Sequence, residues 1–296
     1  MNDQPDAGGE QVESRSANGA SLVVSRLTKS YKTGRDDVMY ALEELDLRCE
    51  GGDWLTIVGT NGAGKSTLLR AVAGVIKADA GRIELAGRDI SRLADYRRAR
   101  FIARIEQDSA LNVAASLTIA ENLAIASMRG KPRRLRIGVT TRRRRHFAEA
   151  LSVLGMGLER RLDSPAAELS GGQRQALALV MATMSNAQLL LLDEHAGQLD
   201  PTAVERVMDV TDRLITRTAM TTLMVTHNVE HALRFGNRLI MMNRGRVMFE
   251  LAAEEKRSTT AAQLLARFAE ESGSALVDEE LLFSEAATSR PKRTNT

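Results

Sequence analysis

Trp54-Leu55-Thr56-Ile57-Val58 runs without a break into Gly59-Thr60-Asn61-Gly62-Ala63-Gly64-Lys65-Ser66, after which Leu68, Leu69 and Val72 recur at helical spacing. A β-rich apolar run, a glycine-rich loop and an amphipathic helix, in that order, predict a strand, a tight turn and a helix. Two glycines bracketing four residues, then a lysine and a hydroxyl residue, form the pattern of a phosphate-binding loop. Its glycines let consecutive amides point inward at an anion, and the helix that follows adds the positive end of its dipole. Lys65 would neutralise the terminal phosphates of a nucleotide, and the Ser66 hydroxyl would ligate magnesium.

Composition sets the frame around that loop. At 296 residues and 43% hydrophobic content, the chain can bury one large α/β core or two smaller ones. No apolar run approaches the roughly 18 residues a bilayer span needs, and residues 1–20 are polar and acidic, unlike the apolar core of a signal peptide. A protein that stays in the cytosol is expected. The single cysteine, Cys49, leaves no partner for an internal disulfide and no thiolate metal cluster. The net charge of +3 conceals a cationic segment containing Arg129, Lys131, Arg133, Arg134, Arg136, Arg142, Arg143, Arg144 and Arg145. No aromatic residue interleaves it before Phe147, so it reads as a solvated or membrane-proximal surface ahead of a nucleic-acid platform.

Working outward from the loop, Leu22, Val24 and Leu27 predict a first strand, and the alternation of Leu45, Leu47 and Cys49 a second, with Tyr31 between them. A run from Phe101 to Ile105 ends at Glu106-Gln107, where a side-chain amide can reach a metal ion or an attacking water. Thr118 or Ser116 with Glu121 forms a capping box that opens a helix, and Phe147, Leu151 and Leu154 space another. Leu169-Ser170-Gly171-Gly172-Gln173 places a serine N-cap and two glycines ahead of a buried apolar helix, a second helix N-terminus suited to an anion.

Leu189 to Leu192 is an unbroken apolar run, as a strand covered on both faces requires, and it ends in Asp193-Glu194. Asp193 can hold magnesium while Glu194 orients and deprotonates a water. Asp200-Pro201 begins another helix, and the strand from Thr221 to Thr226 delivers His227 to its carboxyl end, where ligands of open α/β sheets bind. Leu239 to Phe249 reads as a strand pair around Asn243-Arg244-Gly245, and Leu264, Leu265 and Phe268 as one face of a short terminal helix.

Taken in order, 59–66 (Walker A), Gln107 (Q-loop), 169–173 (signature), 189–194 (Walker B), Leu199-Asp200 (D-loop) and His227 (switch) make residues 22–251 resemble the ATP-binding-cassette ATPases of transporters. The resemblance implies an α/β fold. It would have a P-loop NTPase core with a mainly parallel sheet, an N-terminal antiparallel β subdomain and an inserted α-helical subdomain carrying the signature. The expected division is a disordered leader at 1–20, the ATPase domain at 21–251 with its helical subdomain at about 108–183, and a C-terminal helix with disordered tail at 252–296.

The resemblance assigns catalysis to Glu194, His227 and Gln107, and magnesium to Ser66, Gln107 and Asp193. ATP would be held by Gly59, Asn61, Gly62, Ala63, Gly64, Lys65, Ser66 and Thr67, by an adenine-stacking Tyr31, and by Ser170, Gly171, Gly172, Gln173 and Asp200, the signature arriving from a second copy in a head-to-tail dimer. Further implied partners are separate transmembrane permease subunits and an extracytoplasmic substrate-binding protein, with the chain peripheral on the cytoplasmic face of the inner membrane and no nucleic acid bound. Asp193-Glu194-His195 and Val225-Thr226-His227-Asn228 look similar to ATPase subunits of tryptophan/tyrosine-type uptake systems. Import of a small solute such as an amino acid is the leading expectation; the alternatives are a lipid or lipoprotein exporter and a nucleic-acid-associated ATPase. Two departures stand out: His195 occupies the usual proline position after the glutamate, and the D-loop reads Gly197-Gln198-Leu199-Asp200.

Overall fold

The computed structural model describes residues 19–32, 37–131, 138–185 and 187–272. The expected leader lies outside them except for Gly19 and Ala20. These two are packed in place: the Ala20 amide donates to the Gln188 carbonyl at 3.3 Å, and its own carbonyl accepts from Thr221 Oγ1 at 2.8 Å.

An antiparallel sheet forms first, from β1 (Leu22–Lys32), β2 (Val38–Cys49), β4 (Ala80–Leu85) and the short β5 (Arg88–Asp89), in the order β2-β1-β4-β5. Leu22 and Val24 of β1, Leu27 beyond a register shift in the same strand, and the alternating Leu45, Leu47 and Cys49 of β2 face one core, while the charged residues between them face water. The second sheet has the order β10-β9-β3-β8-β7-β6. Its strands are β3 (Trp54–Gly59), β6 (Ile102–Ile105), β7 (Leu189–Asp193), β8 (Thr221–Val225), β9 (Arg238–Asn243) and β10 (Arg246–Leu251). All neighbours pair in parallel except β9 and β10, the expected terminal hairpin.

The leucine run of β7 shows why the large sheet is covered on both faces. Leu189 and Leu191 pack with Leu68 and Val72 of α1 (Lys65–Ala73), while Leu190 and Leu192 pack with Leu177 and Val180 of α5 (Gly171–Thr183). With a period of two, four consecutive leucines satisfy two opposed cores, and each fully buried leucine contributes about 1.5–3 kcal/mol. Neither face can be given to solvent, so the carboxyl end of β7 is fixed, and Asp193 and Glu194 with it.

After the short α2 (Asp95–Arg98), the helical region is built from α3 (Ile119–Ser127), α4 (Thr141–Ser152) and α5. Thr118, the expected N-cap, closes its capping box with Glu121. Phe147 and Leu151 of α4 are fully buried against Ile119 and Leu123 of α3. The long α6 (Pro201–Thr218) and the short α7 (Val229–Arg234) flank the core.

Beyond Leu251 the chain continues into α8 (Ala253–Ser258), for which the sequence gives no clear period, and then the expected terminal helix, α9 (Ala261–Ser272). Leu264, Leu265 and Phe268 of α9 pack on Met241, Phe249 and Leu251 of β9 and β10. Lys256 of α8 is buried and donates to the Thr56 hydroxyl and to the Phe235, Gly236 and Arg238 carbonyls. The tail from 273 lies outside the described residues.

Candidate functional site: a phosphate cradle facing two carboxylates and a histidine

The loop between β3 and α1 holds its shape by close backbone approaches. Gly59 has φ 151°, and a Cβ there would stand 2.1 Å from the Met242 carbonyl oxygen; Gly64, at φ 97°, would bring one to 2.2 Å from the Ala41 oxygen. Only glycine fits at either position. The Ala63 carbonyl accepts from the Gly245 amide at 3.0 Å, so the β9–β10 turn buttresses the loop as well. α1 starts at Gly64 with no side-chain cap, which leaves its first amides to the loop and to any anion it holds.

Lys65 is 6% exposed and folds back on the loop, its Nζ donating to the Gly59 and Thr60 carbonyls at 2.7 and 3.0 Å. Burial holds its pKa below the ordinary lysine range, while the carboxylates of Glu194 and Asp193 pull it back up. Ser66 Oγ donates to Asp193 Oδ1 at 2.8 Å, so the second residue of α1 and the last of β7 meet across the sheet edge.

Glu194 follows at φ 48°, in the left-handed region that a non-glycine residue seldom occupies. Its amide donates to the Val225 carbonyl at 3.0 Å, tying it to β8. There His227 Nε2 lies 2.6 Å from Glu194 Oε2. Asn228 caps α7 by accepting from the His231 amide at 2.7 Å, which fixes the backbone just past the histidine.

Gln107 is exposed at the end of β6, and its Nε2 lies 3.7 Å from where a Cβ on Gly197 would stand. Gln107, Gly197 and Glu194 therefore share one corner. Two residues that the sequence did not single out hold that corner. Asn112 Oδ1 accepts from the Glu106 amide at 2.8 Å, its Nδ2 donates to the Glu106 carbonyl at 2.9 Å, and the same Nδ2 reaches Gln175 Oε1 of α5 at 3.1 Å. Gln175 is fully buried in the middle of an apolar helix, and a glutamine at such a position was the available signal. This bridge fastens the Q-loop to the signature helix.

Ser170 caps α5 as expected, accepting from the Gln173 amide at 3.3 Å while Gln173 Oε1 accepts from the Ser170 amide at 3.1 Å. Gly171 lets α5 approach the D-loop and Gly172 lets it approach α6: added Cβ atoms would lie 3.0 Å from Leu199 Cδ2 and 3.4 Å from Ala203 Cβ. Asp200 caps α6 through the Ala203 amide at 3.0 Å. Tyr31 is 41% exposed on β1, paired with Met39 of β2, the strand whose Ala41 backs Gly64. In the cationic segment, Arg144 makes a two-pronged contact with Asp163, and Arg143 donates to the Gly138 carbonyl at 2.8 Å; Arg133, Arg134 and Arg136 lie outside the described residues.

The family model described as ABC transporter matches residues 42–197, more than half of the chain, and takes in the phosphate loop, the glutamine corner, the signature helix and the paired carboxylates. The chain belongs to the ABC transporter ATP-binding family. The cassette is 38% identical over 249 residues to the tyrosine transport ATP-binding protein of Clostridioides difficile, covering 83% of this chain and 98% of the relative. It is 35% identical to the phosphonates import ATP-binding protein PhnC of Paraburkholderia xenovorans over 78% of this chain and 77% of that one. Among solved structures it resembles a dimeric ATP-binding cassette in a post-hydrolysis state bound to ADP and Pi, with a TM-score of 0.67 and 27% identity over 78% of this chain and 98% of that one. The expected fold and the expected ATPase activity both hold for the cassette. Among the described residues, no helix is long and apolar enough to cross a membrane.

Proposed function

We propose that this ABC ATPase powers a bacterial importer of a small solute such as an amino acid, working as a pair of copies beneath separate permease subunits. The observation that carries the hydrolytic part is the meeting of Ser66 with Asp193, and of Glu194 with His227, at one edge of the sheet beside the phosphate loop. Support for import comes from the phosphonates import relative, and support for an amino acid as solute from the tyrosine transport relative, matched along 98% of its length.

In this reading the loop amides from Asn61 to Thr67 surround the phosphates of ATP, and Lys65 turns from the Gly59 and Thr60 carbonyls to the terminal phosphate oxygens. Tyr31 offers its ring to adenine. Glu194 accepts the proton of the attacking water while His227 holds its carboxylate in place. The oxygen donors Ser66 and Asp193 stand 2.8 Å apart, and with the Gln107 amide oxygen they suit a hard divalent cation such as Mg2+. That ion would supply positive charge against the phosphate oxygens.

Ser170, Gly171, Gly172 and Gln173 of one copy would face the γ-phosphate held by the other, with Asp200 at the seam between them. A substrate-binding protein outside the membrane would complete the importer. Permease docking falls to a groove of about 880 Å³ between β6 and the helical region, where Tyr96, Ile125, Met128 and Met181 lie among Arg100, Arg104 and Arg129. The chain would then sit on the cytoplasmic face of the membrane.

Replacing Glu194 with Gln tests the chemistry. ATP binding should persist while turnover falls about 100-fold or more, the size expected for loss of a general base. Hydrolysis at the unmodified rate would exclude Glu194 from that role. Solute uptake that depends on this chain in membrane vesicles would establish import; outward movement of lipid or lipoprotein would establish the export alternative.

A further inference from the structure

We propose that His195 is a positioning residue for Glu194: by donating its Nε2–H to Thr211 Oγ1, it ties the turn that carries the carboxylate to the middle of α6. The proposal rests on the reading of Glu194 as the water-activating group.

Directly after Glu194 the chain buries an imidazole. His195 is 3% exposed, and its Nε2 lies 3.0 Å from Thr211 Oγ1, itself fully buried. The direction of the bond follows from the threonine. Its one hydroxyl proton goes to the Val207 carbonyl at 2.7 Å, so the oxygen presents a lone pair to the ring and Nε2 must carry the hydrogen.

The turn needs such a tether. Glu194 sits at φ 48°, a left-handed conformation that a non-glycine residue keeps only where surrounding contacts impose it. Its backbone is held on one side by the Val225 carbonyl and on the other by the Gly197 amide, which donates to the Glu194 carbonyl at 2.9 Å. Segment 194–200 then returns to α6 twice, through the Asp200 cap at the start of the helix and through His195 at Thr211.

The same helix also holds the other half of the pair. His231 of α7 lies 2.9 Å from Glu205 of α6, and Arg234 donates to Glu205 at 2.8 Å and to Asp209 at 2.9 Å. α7 follows His227 directly. Glu194 and His227 are therefore both referenced to α6, and their 2.6 Å separation depends on that shared frame. A cavity of about 630 Å³ lined by Glu194, His195, His227, His231 and Glu205 lies between these anchors.

The test uses ATPase kinetics of the full chain, normalised to nucleotide-binding protein, for Thr211→Val, Thr211→Ser and His195→Phe. Each is also made in the Glu194→Gln background. The expected result is a kcat about tenfold lower for Thr211→Val and His195→Phe, with the KM for ATP within about twofold, because a displaced reacting group costs rate and leaves ground-state binding intact. Thr211→Ser, which keeps the acceptor, should stay within about twofold of the starting rate. In the Glu194→Gln background, Thr211→Val should add no further loss. An unchanged kcat for Thr211→Val, or an equal loss with and without Glu194, would overturn the positioning role; should His195→Phe not fold, the Thr211 pair decides. An active Glu194→Gln chain overturns the Glu194 reading instead.

Discussion

Among the described residues, two lysines bury their ammonium groups against backbone oxygens. Lys65, at the first turn of α1, is 6% exposed and reaches the Gly59 and Thr60 carbonyls; Lys256, in α8, is 2% exposed and reaches the Phe235, Gly236 and Arg238 carbonyls and the Thr56 hydroxyl. The local chemistry is the same, yet the surroundings differ in one respect. Asp193 and Glu194 lie close enough to Lys65 to favour its charge, whereas burial alone pushes Lys256 down to about 7. A lysine at a site mouth can exchange its carbonyls for a phosphate, but one wedged between α8 and the end of α7 can only join elements. Burial by itself does not distinguish a ligand-binding cation from a structural one.

The comparison breaks most directly at Lys65. Lys65→Ala should weaken ATP binding about 100-fold or more, measured by titration with a fluorescent nucleotide, because the terminal phosphates lose their point charge. Its thermal unfolding should shift little, since the loop loses two exchangeable hydrogen bonds and an ammonium whose burial was costly. Full affinity in that variant would place the two lysines in one class.

At Lys256 the pattern should reverse. Because its folded-state pKa is depressed to about 7, the unfolded chain binds the extra proton between there and the ordinary lysine value of about 10.4. Stability should therefore rise with pH across that window, by at most about 1.4 kcal/mol per pH unit. Lys256→Met should flatten the rise in denaturant titrations. Above about pH 10.4, where the lysine is neutral in both states, it should also lower stability by about 1–3 kcal/mol, since the carbonyls at the end of α7 lose their donor. ATP affinity should be unchanged.

The smallest effect is expected at Thr56, whose hydroxyl donates to the Ala232 carbonyl at 2.9 Å while meeting Lys256 Nζ at 3.3 Å. Thr56→Val should cost about 1 kcal/mol in the same titrations. A much larger loss would mean that the hydroxyl, and not the carbonyls, is the main support of the buried ammonium.

Much of the fold was legible because its signals are local. The leucines of β7 declare a strand covered on both faces, Thr118 with Glu121 declares a helix start, and Leu264, Leu265 and Phe268 declare one face of α9. α8 was not legible, for its anchor is a charged residue in a polar stretch, and charge ordinarily marks a solvated face. In the site, Lys65, Ser66, Asp193, Glu194 and His227 could be named from motifs at fixed spacing. Asn112 and Gln175 could not, because an amide matters there only for bridging Glu106 to a helix more than sixty residues away in the chain.

The sequence by itself determined the phosphate loop, the carboxylates at the end of a core strand and the histidine beyond the next one. Each of these follows from a local pattern of backbone permissiveness, periodicity and hydrogen-bonding groups. The tertiary structure alone decided which of two buried lysines faces the carboxylates, that the glutamine corner is fastened to the signature helix, and that His195 spends its one donor on Thr211. These are matters of which distant groups meet, and a side chain's partner across the core leaves no periodic trace in the residues beside it.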